Sequence, residues 1–311
     1  MTATAVRAKP ARKSQRPAWD EEPSFLGKLV KAAFLVCYAA AIVLPIWAVV
    51  ATSLASEDAL QEAGGNLLLI PTELSLQAYR EILSGGALTD SLLLTLALTA
   101  GGTLLSMVLT IGAAYGLSRP GSLLHRPVLM LVLFTFLFGP GMFPSYLVVQ
   151  QLGLLDTYWS LILPSALNAF NLIVLRSFFM TSVPGELIDA AKMDGAGEFR
   201  ILFKVVLPMS KAILAVIALF YAVGYWNIYF QAVLYTPGLE TQPIQVVLQR
   251  MLMSTQGMPG ADIGQYQSAE AAPTAALKMA VVVCTIVPIV IMYPFIQKHF
   301  TKAIITGAIK G

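Results

Sequence analysis

Charge is what this chain has least of: Asp, Glu, Lys and Arg together make up 12% of its 311 residues, against about a quarter in an average soluble domain. So little charge cannot cover a water-facing surface, and with 57% hydrophobic residues and a mean hydropathy of +0.73 the chain has lipid as its main solvent. Cysteine and histidine are scarce too, at two each. Cys37 and Cys284 both fall inside uncharged runs and read as small apolar residues rather than a disulfide or metal pair. His125 and His299 are far apart in sequence and form no ligand set. There is no phosphate-binding Gly-rich loop with its Lys, no His-Glu metal pair and no nucleophile-base constellation, so nothing supports an enzyme. No internal repeat is visible.

The charges that exist are unevenly placed. They leave six uncharged runs, 32–56, 91–118, 127–155, 157–175, 212–239 and 279–297, each at least 19 residues long. A helix needs about 20 apolar residues to cross a ~30 Å hydrocarbon layer. Barrel strands would be about ten residues long and alternating, which these runs are not. The fold class is therefore an all-α membrane protein with six transmembrane helices. The first run is too long for a signal-peptide core and follows a polar tail, so it reads as the first span. Seventeen of the 20 Lys and Arg lie before the first span, between spans two and three, between four and five, or after six; the other side keeps only Arg80, Arg250 and Lys278 beside ten acids. That asymmetry places both termini in the cytoplasm, and it makes the net charge of +3 a topology signal rather than a nucleic-acid footprint.

Residues 1–28 are rich in Lys, Arg, Pro and Ser and read as a disordered basic cytoplasmic tail, leaving 29–311 as the six-helix domain. Short surface helices are expected at 76–83 and around Ile244, Val247, Leu248 and Met251 in the two outer loops. Span two carries Ala97-x-x-x-Gly101 and Gly112-x-x-x-Gly116, a spacing that lets helix backbones approach closely. Span three contains Gly139-Pro140-Gly141 and Pro144, which break a helix in mid-span and place it beside protein or water.

The segment 184–210 between spans four and five holds the densest pattern. Pro184 suits a helix start, Glu186 favours the positive N-terminal end, and Gly195 closes the helix. A second helix follows, with Phe199, Leu202, Phe203 and Val206 at helical spacing, and Pro208 ends it. Asp189-Ala190-Ala191, then Gly195 after three intervening residues and Val205-Val206-Leu207-Pro208 after nine more, resemble the EAA loop of importer permeases of the ATP-binding-cassette (ABC) superfamily, with Asp for Glu and Val for Ile as the two departures. The resemblance extends from about residue 85 to the C-terminus. Within the superfamily, 138–147, 163–179, Gly224-Tyr-Trp-Asn227 and Thr306-Gly-Ala-Ile-Lys-Gly311 are similar to the maltose-type carbohydrate branch, and 241–250 to its oligosaccharide and uronic-acid subgroup.

The resemblance implies a type I ABC importer permease fold and a transport subunit that binds no cofactor itself, ATP and Mg belonging to a partner ATPase. The implied partners are a second permease forming a heterodimer, two copies of a cytoplasmic ABC ATPase, an extracytoplasmic solute-binding protein and the bilayer of a bacterial cytoplasmic membrane. Coupling residues carried over are Glu186, Asp189, Ala190, Ala191, Asp194, Gly195, Leu207 and Pro208, with Lys310 and Gly311 of the tail. Polar and aromatic residues of the middle spans, Asn168, Asn171, Tyr225, Trp226, Asn227, Tyr229 and Gln231, are candidates for the sugar passage, since amides bind hydroxyl edges and rings cover apolar sugar faces. A permease for a non-sugar solute is the alternative. A secondary transporter would place ionisable residues inside the bundle, and no run contains one.

Overall fold

The computed structural model describes residues 25–64, 67–119, 125–254 and 275–308, with side chains described except at 254 and 295–308. Most of the basic tail, part of the second outer loop and the terminal Lys310 and Gly311 lie outside the described residues. By compactness the chain divides into 1–48 and 49–311. The first unit is the body of α1 (Phe25–Ser53), a long apolar helix with Pro45 inside it and Phe34 stacked on Tyr38 at 6.3 Å.

The second unit is helical; among the described residues the sole strand-like feature is a bridge between Ala55 and Leu74. Two short helices, α2 (Glu57–Glu62) and α3 (Gln77–Leu83), precede α4 (Ala87–Ser118). The third run splits as its Gly-Pro-Gly pattern requires, into α5 (His125–Leu137) and α6 (Met142–Gln151), with Gly141 at φ +78. The fourth becomes α7 (Trp159–Ile162), a 3-10 turn carrying Pro164, and α8 (Ala169–Ser182), bent by 46° at the break. Next come α9 (Gly185–Met193) and α10 (Glu198–Ile201), a π-helical turn over Leu202–Val206, and α11 (Leu207–Met209). Pro208 sits at the start of α11, so the helical path from Glu198 continues to Met209 before an 87° bend at Ser210 into α12 (Lys211–Trp226). The bundle closes with α13 (Phe230–Tyr235), α14 (Ile244–Ser254) and α15 (Ala275–Ala308).

Among the described residues three helices, α1, α4 and α15 up to Pro294, are long and apolar enough to cross a membrane, or up to five spans if each bent pair counts as one. Helices are present at both places where short ones are expected between spans, as α3 and α14.

The central element is α4. Its buried face recurs every three or four residues as Leu88, Ser91, Thr95, Leu98, Gly102, Ser106, Thr110, Ala114 and Leu117, the period of one helix face. Small and hydroxyl side chains dominate that face, and they let α12 approach closely enough for side-chain bonding across the pair. Ser106 Oγ lies 2.9 Å from Tyr225 Oη, and Thr110 Oγ1 lies 2.6 Å from Tyr221 Oη. Gly102 is what admits the Tyr225 ring, since a Cβ there would stand 2.8 Å from two ring carbons. The glycines of the expected close-approach motif behave differently. A Cβ added at Gly101, Gly112 or Gly116 would meet nothing within 4 Å, so the described residues leave that stripe open.

Candidate functional site

Helix α9 and the turn after it are built by capping chemistry. Asp194 is the C-cap, Gly195 has φ +75, its N–H donates to Lys192 O at 3.0 Å, and the Ala196 N–H donates to Ala191 O at 2.9 Å. These are the two bonds of a Schellman stop, which needs a left-handed residue at the Gly195 position. Ile188 and Ala191 turn inward onto a cluster containing Leu172, Leu175 and Ile201. No α9 residue is fully buried, and Glu186, Asp189, Ala190 and Asp194 are all exposed. Large apolar side chains on the same segment are left open as well, Met193 at 87% and Phe199 at 81% exposure.

The segment is anchored to the end of α4. The Tyr115 hydroxyl donates to the Glu198 carboxylate, Arg119 donates to the Tyr115 hydroxyl and lies 4.4 Å over its ring, and Lys192 Nζ is 3.4 Å from Glu198 Oε1. The Tyr115 hydrogen bond, with help from the Arg119 and Lys192 charges, holds Glu198 below the usual carboxylate range. A carboxyl whose pKa is lowered by folding contributes stability above its unfolded pKa and loses it as pH falls through the lowered value. The anchor is therefore intact at neutral pH and is expected to weaken only on strong acidification, measurable as acid-induced release of α9 in hydrogen exchange. Nearby, Arg176 of α8 donates to Leu117 O at 2.9 Å and its guanidinium meets His125 Nε2 at 3.1 Å.

A second feature is a cavity of about 470 Å³ between α8 and α12, lined by Ser165, Asn168, Phe170, Asn171, Phe220, Tyr221, Gly224, Tyr225, Ile228 and Gln231. None of these ten residues is an Asp, Glu, His, Lys or Arg. Phe170 and Phe220 are about half exposed, with ring centroids 6.3 Å apart, and Phe136 continues the row 6.4 Å from Phe170.

A family model described as "binding-protein-dependent transport system inner membrane component" matches residues 106–306, which takes in both features. The chain belongs to this family. The permease is 45% identical, over 89% of its length and 96% of the relative's, to the polygalacturonan/rhamnogalacturonan transport system permease protein YtcP of Bacillus subtilis (strain 168). It is 38% identical to protein LplC of the same organism, over 89% and 92% of the two chains. Its structure superposes with a TM-score of 0.79 and 29% identity on a chain from a bacterial ABC transporter involved in the import of the acidic polysaccharide alginate, covering 91% of the permease and all of that chain. The permease thus has the type I ABC permease fold and is a multi-pass membrane transport subunit, not an enzyme; ATP hydrolysis belongs to a separate subunit.

Of the seven pathway candidates, the permease brings Asn168, Asn171, Tyr225 and Gln231 to the cavity wall. Asn168 also caps α8, accepting from Asn171 N at 3.1 Å. Trp226, Asn227 and Tyr229 do not line it. The Trp226 indole is buried and donates to Thr285 O at 2.9 Å, a bond between α12 and α15. Asn227 is the C-cap of α12, its amide donating to Val223 O at 2.9 Å. Tyr229 lies beyond the end of α12, so it does not share a helix face with Tyr225. Phe170, Phe220 and Tyr221 are wall residues that the sequence reading does not single out. For Phe220 and Tyr221 the signal is present in the spacing of 220, 221, 224 and 225, one face of α12.

Proposed function

We propose that the chain is one of two different permease subunits in a binding-protein-dependent importer for acidic oligosaccharides of the uronic-acid kind. In this reading it crosses the bacterial cytoplasmic membrane six times with both termini inside, the third span being the broken α5–α6 pair. It works with two copies of the ATPase and an extracytoplasmic solute-binding protein. Segment 184–210 docks the ATPase through Glu186, Asp189, Ala190, Ala191, Asp194, Gly195, Leu207 and Pro208, and the tail ending in Lys310 and Gly311 adds to that contact. The observation that carries the reading is the pairing of an exposed, Schellman-closed helix with a cavity walled by amides and half-open aromatic rings.

Support for the substrate class comes from the relatives, whose names speak of polygalacturonan, rhamnogalacturonan and alginate. The cavity chemistry agrees. Amides and hydroxyls bind sugar hydroxyls, while Phe170 and Phe220 offer faces to the apolar side of a pyranose.

Phe220→Ala and Gln231→Ala are expected to lower oligogalacturonate uptake about fivefold each, the size of an aromatic or single hydrogen-bond contact. Assembly and basal ATPase should stay unchanged, because both side chains are partly open rather than core. Uptake equal to wild type in both variants would move the sugar contacts to the other permease. Orientation has its own check. A cysteine at Asp194 should resist a membrane-impermeant maleimide in intact cells and one at Glu62 should react; labelling at 194 from outside would reverse the topology.

A further inference from the structure

The anchor around Glu198 ties together three parts of the chain that also share an apolar cluster, in which Ala114, Tyr115 and Leu117 pack with Ile188, Ala191 and Ile201. Glu198 opens α10, Lys192 ends α9, and Tyr115 and Arg119 stand at the end of α4. Glu198 receives the Tyr115 hydroxyl on one carboxylate oxygen, with the Arg119 Nε 3.7 Å from that oxygen, and Lys192 at 3.4 Å from the other. The Arg119 side chain is 17% exposed and the Glu198 side chain 53%, so water screens the charges on the carboxylate side and the hydrogen bonds through the Tyr115 hydroxyl set the geometry.

From Tyr115 the line continues through a rigid element. One turn and a little more along α4 is Thr110, bonded to Tyr221, and one turn further Ser106, bonded to Tyr225; both tyrosines wall the cavity. At about 1.5 Å rise per residue, Tyr115 and Ser106 are only about 14 Å apart along the axis. The other cavity wall, α8, is tied to the same end of α4 by Arg176 on Leu117 O. A displacement of α9 therefore reaches both walls through the end of α4.

We propose that Glu198 is a positioning residue that couples the ATPase-docking segment to the substrate cavity, acting through Tyr115 and Arg119 on α4. This rests on the docking role given to α9 above. A merely local role for Glu198, as an acid in the first turn of a helix, would leave Tyr115 without influence.

The test uses the complete importer in proteoliposomes, with binding protein and oligogalacturonate as the stimulating probe. It reads the ratio of stimulated to basal ATPase for Glu198→Ala, Tyr115→Phe and the double variant. Tyr115→Phe keeps the ring beneath Arg119 and removes only the hydroxyl, so it preserves folding. Glu198→Ala should lower the ratio about fivefold and Tyr115→Phe about twofold, within the range for residues that transmit coupling, while the ATPase co-purifies at the wild-type amount. The double variant should lose no more than Glu198→Ala alone, the non-additivity of two groups acting as one contact. Unchanged ratios in both single variants, or fully additive losses, overturn the proposal. Gly195→Asp separates the two levels. If it is stimulated like wild type, the docking reading and the coupling proposal fall together; if it is uncoupled while the Glu198 and Tyr115 variants behave normally, only the coupling proposal falls.

Discussion

Gly195→Asp should insert and fold, yet lose substrate-stimulated ATPase activity and uptake to background. Gly195 sits at φ +75, a region that costs an L-residue roughly 1–2 kcal/mol, though Asp and Asn enter it more readily than most. Among the described residues the added Cβ meets nothing within 4 Å. Crowding inside the permease is therefore not the cause of the defect, and the backbone cost alone would leave a folded protein. What changes is the exposed surface. A fourth carboxylate joins the exposed Glu186, Asp189 and Asp194, on the segment where the proposed ATPase contact would close over it. Burying an unpaired charge in an interface costs several kcal/mol. Gly195→Asn separates the two contributions, because it tolerates the same backbone without the charge. It should keep about half or more of the stimulated activity, and measurement of ATPase stimulation in both variants checks the argument. Equal loss in the Asn variant would place the effect in the turn itself.

The second large effect should fall on stability, at Gly102. A methyl there would stand 2.8 Å from the Tyr225 ring, closer than carbon atoms pack, and the ring cannot swing away without breaking its bonds to Ser106 Oγ at 2.9 Å and Ile162 O at 3.1 Å. Overpacking of this kind costs about 1–3 kcal/mol, and interhelical hydrogen bonds in membranes add about 0.6 kcal/mol each when lost. Gly102→Ala should therefore lower the unfolding midpoint in detergent clearly and reduce uptake. Gly101→Ala is the neighbouring control. It has open space at its Cβ and gains helix propensity, so it should be neutral or slightly stabilising for the isolated chain. Equal thermal shifts in the two variants would contradict the α4–α12 contact.

The contrast between Gly101 and Gly102 shows where sequence reading stops. Both lie in one apolar run, one residue or about 100° of helix apart, and the small-xxx-small spacing marks the open stripe rather than the face that α12 occupies. Spacing identifies a face that permits close approach, while which face is filled depends on partners distant in sequence. The same holds for Trp226 and Asn227. Their chemistry suits a sugar, but the indole donates to a carbonyl on α15 and the amide ends its own helix. By contrast, the helix of α9, its stop at Gly195 and the break at Gly139-Pro140-Gly141 are legible, because each is set by local backbone constraints. The Glu198 anchor is not, since Tyr115 and Glu198 are 83 residues apart and meet only once the bundle is packed. The cavity falls between these cases: four of the candidates reach its wall, and the helical spacing that adds Phe220 and Tyr221 is readable in the same stretch.

The central claim is that α9 is the surface on which a separate ATPase acts. Its most direct test is a photo-cross-linker placed at Ala190, an exposed position on α9, in the assembled importer, with the adducts identified by mass spectrometry. The account predicts that the ATPase subunit is the main adduct and that its yield changes when ATP is exchanged for ADP. Adducts confined to lipid or to the solute-binding protein would contradict it.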